Sequence, residues 1–253
     1  MNGTSSIAAF YTDFTPVNRK KRRNRAIKKR EPLVTVLQRL HEELGQDDWL
    51  PQCQQILVES LASAALAQTS LEVLCLGLGS PSTSPNARVQ LAFLLAICDS
   101  LNIDRAKVSL YDPVFTAEDA SLLAELQVQL LTENKASPIR AFRASYYSGA
   151  ALAIVRPTLC FMPHCDMELY ESLLKANWSR SSLRNLLLVA NRLADYIDSN
   201  PRHRLETGAP FLLNLAPSLE CYPFPASRPW PTAFNNTAVQ FMGLQTGVLA
   251  LPE

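Results

Sequence analysis

The chain alternates between short apolar runs of strand length and longer apolar stretches that repeat with the period of a helix. Residues 71–101 give the clearest unit. The run Leu71–Leu76 stops at Gly77-Leu78-Gly79, passes through a loop of Ser, Pro and Thr, and continues as a long apolar helix. A buried strand, a glycine turn and a helix entered at its N-terminus form the opening unit of an open α/β sheet. Such a turn lets a phosphate or carboxylate approach backbone N–H groups at the positive end of the helix, so we expect a ligand to bind here.

Two helices are predicted before this unit. Leu33, Leu37, Leu40 and Leu44 recur at spacings of three and four residues, and Gly45 is placed to end their helix. A second helix follows through residues 49–64, capped by one of the aspartates at positions 47 and 48. Both helices are expected to cover one face or edge of the sheet.

Further strands are predicted along the rest of the chain. Four apolar runs of strand length follow the first one: Lys107–Tyr111, Leu126–Leu131, Thr158–Met162 and Leu186–Ala190. Phe211–Leu215 and Thr237–Met242 are candidate closing strands, with an antiparallel position at the sheet edge as one arrangement. The proline-rich stretch 215–231 is predicted to be irregular, with Phe224 and Trp230 held against the body.

These elements predict one α/β domain over residues 32–253, with a Rossmann-like, mostly parallel open sheet flanked by helices. The chain has 253 residues and a hydrophobic content of 47%, enough for a sizeable core. No apolar run reaches the roughly 18 residues that span a bilayer, so no membrane association is expected. The net charge of +1 favours no class of partner.

The basic residues concentrate in one segment, Asn18–Arg30, which holds nine Lys and Arg in thirteen positions. Like charges at this density repel one another, so residues 1–31 are predicted to be a disordered basic arm. Three interpretations stay open: nuclear import, contact with nucleic acid, or a linker that aids solubility. The arm lacks interleaved aromatic residues, which makes it weak evidence for base stacking. Nucleic-acid binding is not expected from the rest of the chain.

Six cysteines lie mostly inside apolar segments and form no CxxC pair. With no signal peptide at the start, they are expected to be reduced intracellular thiols. Together with the basic arm, they predict a cytoplasmic and nuclear protein.

The loop after the first strand carries several polar side chains. Ser84 and Pro85 form a favourable helix start, and Ser80 and Ser82 supply hydroxyl donors to the predicted ligand site. Arg88 opposes the helix dipole in the first turn of that helix, which is easier to understand if it faces an anion. That anion is either a ligand group or an internal carboxylate such as that of Asp112.

Polar residues follow the predicted strands at the points where they end. In an open parallel sheet these positions line the ligand crevice, and they are occupied by Gly77, Gly79, Asp112, His164 and Asn191. An acidic residue after the second strand binds a ribose in doubly wound folds. The same aspartate has two other interpretations, as a cap of the helix over residues 116–126 or as the partner of the arginine at position 88.

His164 and Cys165 form an adjacent pair after the fourth strand. The histidine has three interpretations: a proton-transfer group, a haem ligand, or a residue that orders the loop and caps the next helix. The cysteine is a candidate nucleophile or ligand. One such pair is a poor metal site, and no second pair stands at ligand spacing, so no metal is predicted.

Five blocks of the chain resemble the signature blocks of the SRR-like (Sensitivity to Red Light Reduced-like) family. They read LCLGLGSPSTSPNARVQLAFLLAI, SLYDPVF, TLCFMPHCDMELYESLLKANW, LLLVANRLADY and, as a closing block at residues 233–242, AFNNTAVQFM. The first four cover residues 71–196. An acidic turn of the family corresponds to residues 132–135 here, without its final glycine, and Asn191-Arg192 stands where the family tends towards Gly-Asn-Ser.

The resemblance implies a Rossmann-like domain in a regulatory protein, with links to circadian and light signalling, haem biosynthesis and microtubule phenotypes. It brings no settled reaction, and neither catalytic residues nor a cofactor are identified. We expect a small anionic or nucleotide-type ligand in the crevice, and protein partners. The alternatives are a transferase that uses an adenosylmethionine-like or nucleotide cofactor, and a pure interaction module.

Overall fold

A computed structural model describes residues 31–131 and 152–244 of the chain. Residues 1–30 of the predicted basic arm and the turn at residues 132–135 lie outside the described residues. The described part is an α/β structure with one mixed, mostly parallel sheet.

The sheet has seven strands among the described residues, in the order β3-β2-β1-β4-β5-β7-β6. Their bounds are β1 Glu72–Leu76, β2 Val108–Tyr111, β3 Gln129–Leu130, β4 Thr158–Met162, β5 Leu186–Asn191, β6 Leu219–Pro223 and β7 Thr237–Met242. The first five strands are parallel, and β7 pairs antiparallel with both β5 and β6. The chain reverses its direction of travel across the sheet between β1 and β4, which are neighbours.

Helices pack on both faces of this sheet. The described α-helices are α1 Leu33–Leu44, α2 Trp49–Ser63, α3 Pro85–Ser100, α4 Ala117–Glu125, α5 Met167–Ala176, α6 Arg180–Arg184, α7 Leu193–Ser199, α8 Arg202–Gly208 and α9 Pro210–Leu215. Helices α1 to α4 share one hydrophobic cluster with one face of the sheet, and α5 to α9 share a second cluster with the other face.

The central strands are apolar at all but their end positions because both of their faces are covered. In β1, Val73 and Cys75 belong to the first cluster, whereas Leu74 and Leu76 belong to the second. The same alternation continues in β4 and β5. Near-continuous apolar runs of this kind are typical of buried parallel strands.

The predicted opening unit is confirmed. Strand β1 is followed by a loop that leads into α3, where the Ser84 hydroxyl accepts a hydrogen bond from the Ala87 N–H and Pro85 occupies the first helical position. The two lead-in helices are also present, and Gly45 ends α1. At the start of α2 the Asp47 carboxylate accepts the Trp49 N–H at 3.0 Å.

The third strand is shorter than the predicted range 126–131. Leu126 is the C-cap of α4, and Gln127 has a left-handed backbone with φ of 59°. Only Gln129 and Leu130 pair with β2. The apolar run therefore serves first as a helix end and then as a strand.

The prediction of a strand over residues 211–215 is wrong, because this segment is helix α9. Pro210 occupies its first turn, and the two oxygens of Glu171 on α5 accept the N–H groups of Phe211 and Leu212 at 3.1 and 2.9 Å. A carboxylate distant in sequence thus satisfies the start of the helix. The other closing strand, β7, is confirmed and is antiparallel, but it lies one strand in from the sheet edge because β6 pairs on its outer side.

The proline-rich stretch contains an edge strand where an irregular segment was predicted. Strand β6 pairs only with β7, and four of its five residues are exposed. Phe224, which follows it, is buried against Phe93 of α3, as expected, and Trp230 is half-buried. Pairing with β7 defines β6, because its own sequence carries little strand pattern.

Candidate functional site

The predicted site residues gather at one edge of the sheet. Strands β1, β2, β4 and β5 are parallel, so their carboxyl ends point to the same side. The reversal of strand order between β1 and β4 falls at the middle of this edge. Ligands of open α/β sheets bind outside the carboxyl ends of the strands at such a switch point.

Two glycines shape the loop after β1, residues 77–84, which we call the glycine loop. Gly77 and Gly79 have φ angles of 65° and 76°, a left-handed conformation that favours glycine. A Cβ atom on Gly77 would lie 2.5 Å from the Sγ of Cys165, whereas one on Gly79 would meet nothing closer than the Cβ of Ala87 at 3.7 Å. The first glycine therefore permits close packing, and the second a tight turn.

Asp112 joins the end of β2 to the glycine loop. One carboxylate oxygen accepts the Gly79 N–H at 2.7 Å, and the other accepts the Val114 N–H at 2.9 Å. Thr116 and Asp119 cap the following helix, so the capping interpretation of this aspartate is wrong. Among the ion pairs of residues 31–131 and 152–244, none joins it to Arg88. The carboxylate instead lies against the backbone donor that was predicted to meet a ligand.

Ser80 and Ser82 turn inward, to a carboxylate that the sequence reasoning missed. Asp119 on α4 accepts the Ser80 hydroxyl at 2.6 Å and the Ser82 N–H at 2.7 Å. The same carboxylate accepts the Thr116 N–H at 2.8 Å. As donors to a ligand, the two serines stay a prediction; in this structure their polar groups fix the glycine loop to α4.

Asp119 is fully buried. Burial by itself raises the pKa of this carboxyl, but the hydrogen bonds from Ser80, Thr116 and Ser82 outweigh burial and lower the pKa below its ordinary value. The carboxylate is therefore ionised at neutral pH. A sequence signal existed for it, since Thr116 and Asp119 have the spacing of a capping box, which the structure contains.

Arg88 lies in the first turn of α3, as predicted, and is half-buried. Its Nε donates to the carbonyl oxygen of Pro81 at 2.7 Å, which holds the side chain over the glycine loop. No ion pair joins it to any carboxylate within residues 31–131 and 152–244. Its role as an anion contact stays a prediction.

His164 and Asn191 meet at the ends of β4 and β5. The Asn191 side-chain oxygen accepts the His164 N–H at 2.8 Å, and the imidazole Nε2 lies 3.1 Å from the carbonyl oxygen of Ala233. His164 is exposed and has a left-handed φ of 55°. Of its predicted roles, helix capping is wrong, because Asp166 caps α5 by accepting the Leu169 N–H.

Cys165 is buried behind the glycine loop, where its thiol donates to the Leu76 carbonyl at 3.4 Å. Burial raises the pKa of this thiol well above its ordinary value, and the charges of Asp166 and Asp112 raise it further. A buried, protonated thiol is a poor nucleophile. The position of this side chain favours packing rather than chemistry.

A segment from the proline-rich stretch crosses the same edge. We call residues 224–236 the strap. Ala233 accepts a second hydrogen bond from Gln90 of α3 at 2.7 Å, and the indole N–H of Trp49 donates to Pro225 at 2.7 Å. No sequence signal identified Ala233, because it acts through its backbone carbonyl. Gln90 was visible as a polar residue within an apolar helix.

Two features are absent from residues 31–131 and 152–244. No group of three or more His, Cys, Asp or Glu side chains there is arranged to hold a metal ion. No helix there is both long and apolar enough to cross a membrane. All six cysteines are free thiols, and five of them are buried.

Comparison with protein families gives a match to the SRR1 domain over residues 49–241. The match begins at α2 and runs to β7. It therefore contains the carboxyl ends of β1, β2, β4 and β5 with the loops that follow them, which we call the crevice edge. No solved structure matches the chain.

Three curated proteins are similar to this chain. The mouse SRR1-like protein is 35% identical over 161 residues, which are 64% of this chain and 56% of the mouse protein. The Arabidopsis thaliana Protein SENSITIVITY TO RED LIGHT REDUCED 1 is 28% identical over 51% of this chain and 42% of its own length. The Drosophila melanogaster SRR1-like protein is 27% identical over 66% of this chain and 54% of its own length. The chain spans about half the length of these relatives.

Proposed function

The chain belongs to the SRR1 domain family, and from this premise we propose that it is a regulatory protein that binds a small nucleotide-type ligand at the crevice edge. The ligand's anionic group would meet the backbone of the glycine loop, and its ribose would meet Asp112. The printed name of the Arabidopsis relative refers to sensitivity to red light. That name supports the signalling part of this proposal.

One observation carries the proposal: the 2.7 Å hydrogen bond between the Gly79 N–H and the Asp112 carboxylate. It places a backbone donor at the glycine turn beside an acidic acceptor at the end of the neighbouring strand. Doubly wound folds bring a glycine turn to the phosphate and an acidic residue after the second strand to the ribose of a nucleotide. Here the Gly79 N–H is donated to Asp112, so the phosphate would meet the rest of the loop backbone. A carboxylate has about four lone-pair sites, so Asp112 keeps acceptor capacity for a ligand hydroxyl.

The topology supports a Rossmann-like fold and a ligand of mononucleoside size. The order β3-β2-β1-β4-β5 agrees with the first five strands of the dinucleotide-binding order. Strands β1 to β3 with α3 and α4 complete one mononucleotide-binding half. The second half departs from that pattern after β5, where β7 enters antiparallel. A single nucleoside therefore fits this edge better than a dinucleotide.

The test is a thermal-shift screen against adenosylmethionine, adenosylhomocysteine, adenine and nicotinamide nucleotides, and haemin. A compound at a hundred times its Kd should stabilise the native state by about 2.7 kcal/mol. We expect an adenine nucleoside derivative to raise the Tm of the wild type and to lose most of this effect in Asp112→Asn.

Asp104→Asn is the matched control for Asp112→Asn. Asp104 precedes β2 and accepts the N–H of the residue two positions on, Ala106, at 2.9 Å, as Asp112 does with Val114 after β2. The two aspartates make the same local contact at opposite ends of one strand. Equal loss of the shift in both variants would contradict the proposed site, and no shift with any compound would favour the interaction module.

The second candidate is a transferase of adenosylmethionine-methyltransferase-like architecture. The antiparallel β7 favours this candidate, because such a strand distinguishes this sheet from the all-parallel sheet of the dinucleotide-binding fold. Cofactor-dependent product formation would support this candidate, and binding without turnover would support the regulatory one.

The wider cellular roles stay predictions. We propose that protein partners bind the liganded form of the protein. We also propose that the protein is cytoplasmic and nuclear, and that the basic arm is its import signal. Links to circadian timing, haem biosynthesis and microtubules come from the family resemblance alone, and they are also predictions. Deleting residues 19–30 should reduce the nuclear signal without changing the Tm; an unchanged distribution would remove the import function.

A further inference from the structure

The imidazole of His164 is held in a way that defines which ring nitrogen carries the proton. Its Nε2 lies 3.1 Å from the carbonyl oxygen of Ala233. A carbonyl oxygen only accepts hydrogen bonds, so Nε2 must be the donor. In the neutral ring the proton therefore resides on Nε2, and Nδ1 keeps a free lone pair.

The rest of the residue is equally fixed. The His164 N–H donates to the side chain of Asn191 at 2.8 Å, and the backbone has a φ of 55°. Left-handed backbone is uncommon for residues other than glycine, and its strain persists where surrounding contacts define it. Ala233, which anchors the ring, is itself held by Gln90 at 2.7 Å. The ring thus has few alternative orientations.

Nδ1 makes no hydrogen bond within the part of the chain that the structure describes, and the residue is exposed. It stands after β4, while Asp112 stands after β2, and β1 lies between these two strands. Neighbouring strands are about 4.8 Å apart, so the two strand ends are separated by roughly 10 Å. A nucleoside spans such a distance.

We propose that neutral His164 is the second hydrogen-bond acceptor of the crevice, besides Asp112. Its Nδ1 accepts a hydrogen bond from a hydroxyl or amino group of the bound ligand. The inference rests on the proposed function and adds a chemical requirement to it. The ligand must carry donor groups at both ends of its span, one for Asp112 and one for His164, besides the polar group that meets the glycine loop. Inorganic phosphate is too small to span the roughly 10 Å between the two acceptors and does not meet this requirement.

The first test reads the tautomer in the ligand-free protein. Long-range ¹H–¹⁵N correlation spectra of ¹⁵N-histidine-labelled protein at about pH 8.5, well above the ordinary histidine pKa, distinguish the protonated nitrogen from the unprotonated one. We expect His164 to hold its proton on Nε2. His41 and His203 are exposed helical residues and serve as internal references, and the His164→Gln variant assigns the signals. A proton on Nδ1 would overturn the inference whatever the protein binds.

The second test separates an acceptor from a structural residue, with adenosylhomocysteine as the probe. The amide of His164→Asn places a polar atom near the position of Nδ1 but cannot reach the carbonyl of Ala233. The longer amide of His164→Gln can reach that carbonyl but leaves no polar atom at the position of Nδ1. If Nδ1 meets the ligand, we expect His164→Gln to weaken binding about tenfold and His164→Asn to weaken it less. The opposite order would assign His164 to holding the strap alone.

The two proposals fail in distinguishable ways. A wild-type protein that binds no nucleoside probe would remove the proposed function and this inference with it. A wild-type protein that binds the probe, with His164 protonated on Nδ1 or with the two variants in the opposite order, would remove this inference and leave the nucleotide-binding site intact.

Discussion

The two halves of the crevice edge are built differently. In the first half, at the ends of β1 and β2, the carboxylates of Asp112 and Asp119 accept backbone and hydroxyl donors of the glycine loop, and both residues are buried. In the second half, at the ends of β4 and β5, His164 is exposed and is held by neutral groups on Asn191 and Ala233. Charge fixes the first half, and neutral hydrogen bonds orient the second.

This difference predicts that the first half contributes mainly to stability and the second mainly to binding. Hydrogen bonds to a buried carboxylate are strong, and losing the carboxylate leaves several buried donors unpaired. The first half should therefore be rigid and important for stability. The second half offers an accessible imidazole with one committed nitrogen, so its substitution should alter binding more than folding.

The largest effect is expected when the first half loses its buried carboxylate. Asp119→Ala leaves the hydroxyl of Ser80 and the N–H groups of Ser82 and Thr116 without their acceptor. We expect the free energy of unfolding to fall by about 4 kcal/mol, measured by urea denaturation. Glu125→Ala, at an exposed position on the same helix, is the control and should change it by less than about 0.5 kcal/mol.

Acid supplies an independent check on Asp119. Its pKa is lower in the folded protein than its ordinary value of 3.8. A depressed folded pKa means that the stabilisation is present above the unfolded pKa and is lost as the pH falls through the folded pKa. Stability of the wild type should therefore decline below about pH 4 more steeply than that of Asp119→Ala. Parallel pH profiles would show that this carboxylate is not the stabilising group.

An intermediate effect is expected at the contact between the halves. Gly77→Ala places a Cβ atom 2.5 Å from the Sγ of Cys165 and retains a φ of 65°. We expect a loss of about 2–3 kcal/mol from overpacking and backbone strain together. Gly79→Ala has the same backbone strain without the close contact, so it should lose only about 1 kcal/mol.

A double-mutant cycle separates the two contributions at Gly77. Removing the sulfur with Cys165→Ala should make Gly77→Ala less harmful by about 1 kcal/mol or more. Additive losses in the cycle would mean that the sulfur moves aside and that backbone strain alone accounts for the effect.

The smallest effect on stability is expected in the second half. Gln90→Met removes one of the two hydrogen bonds to the carbonyl of Ala233. We expect a loss of about 1 kcal/mol and faster amide hydrogen exchange across the strap, residues 224–236, with the glycine loop unchanged. Gln55→Met, at an exposed position on α2, should leave both segments unchanged. Faster exchange in the glycine loop would show that the two halves are not independent.

Sequence patterns predict more of the first half of the crevice edge than of the second. The glycine loop was recognisable because its signals are local: an apolar run, two glycines two residues apart, and a Ser-Pro helix start. The acidic residue after β2 followed from strand order alone. The inward turn of Ser80 and Ser82 was not recognised, because their acceptor on α4 lies 39 and 37 positions away.

The second half was predicted as a set of positions without their contacts. His164 and Asn191 were placed at strand ends, but the tautomer of the histidine depends on Ala233, 69 positions further along the chain. The helix at residues 210–215 was missed for a similar reason, since Glu171 on a distant helix satisfies its first N–H groups. Each of these features depends on a residue distant in sequence, and no local sequence pattern predicts that contact.

By itself, the sequence determined which segments are buried on both sides, where the glycine loop lies, and which polar residues end the central strands. These follow from hydrophobic periodicity and backbone preference, which act over a few neighbouring residues. Only the tertiary structure decided which donors the two aspartates accept, which nitrogen of His164 is committed, and where β6 pairs. A hydrogen bond between distant segments exists only after packing has brought them together, so its geometry is a property of the fold and not of either segment.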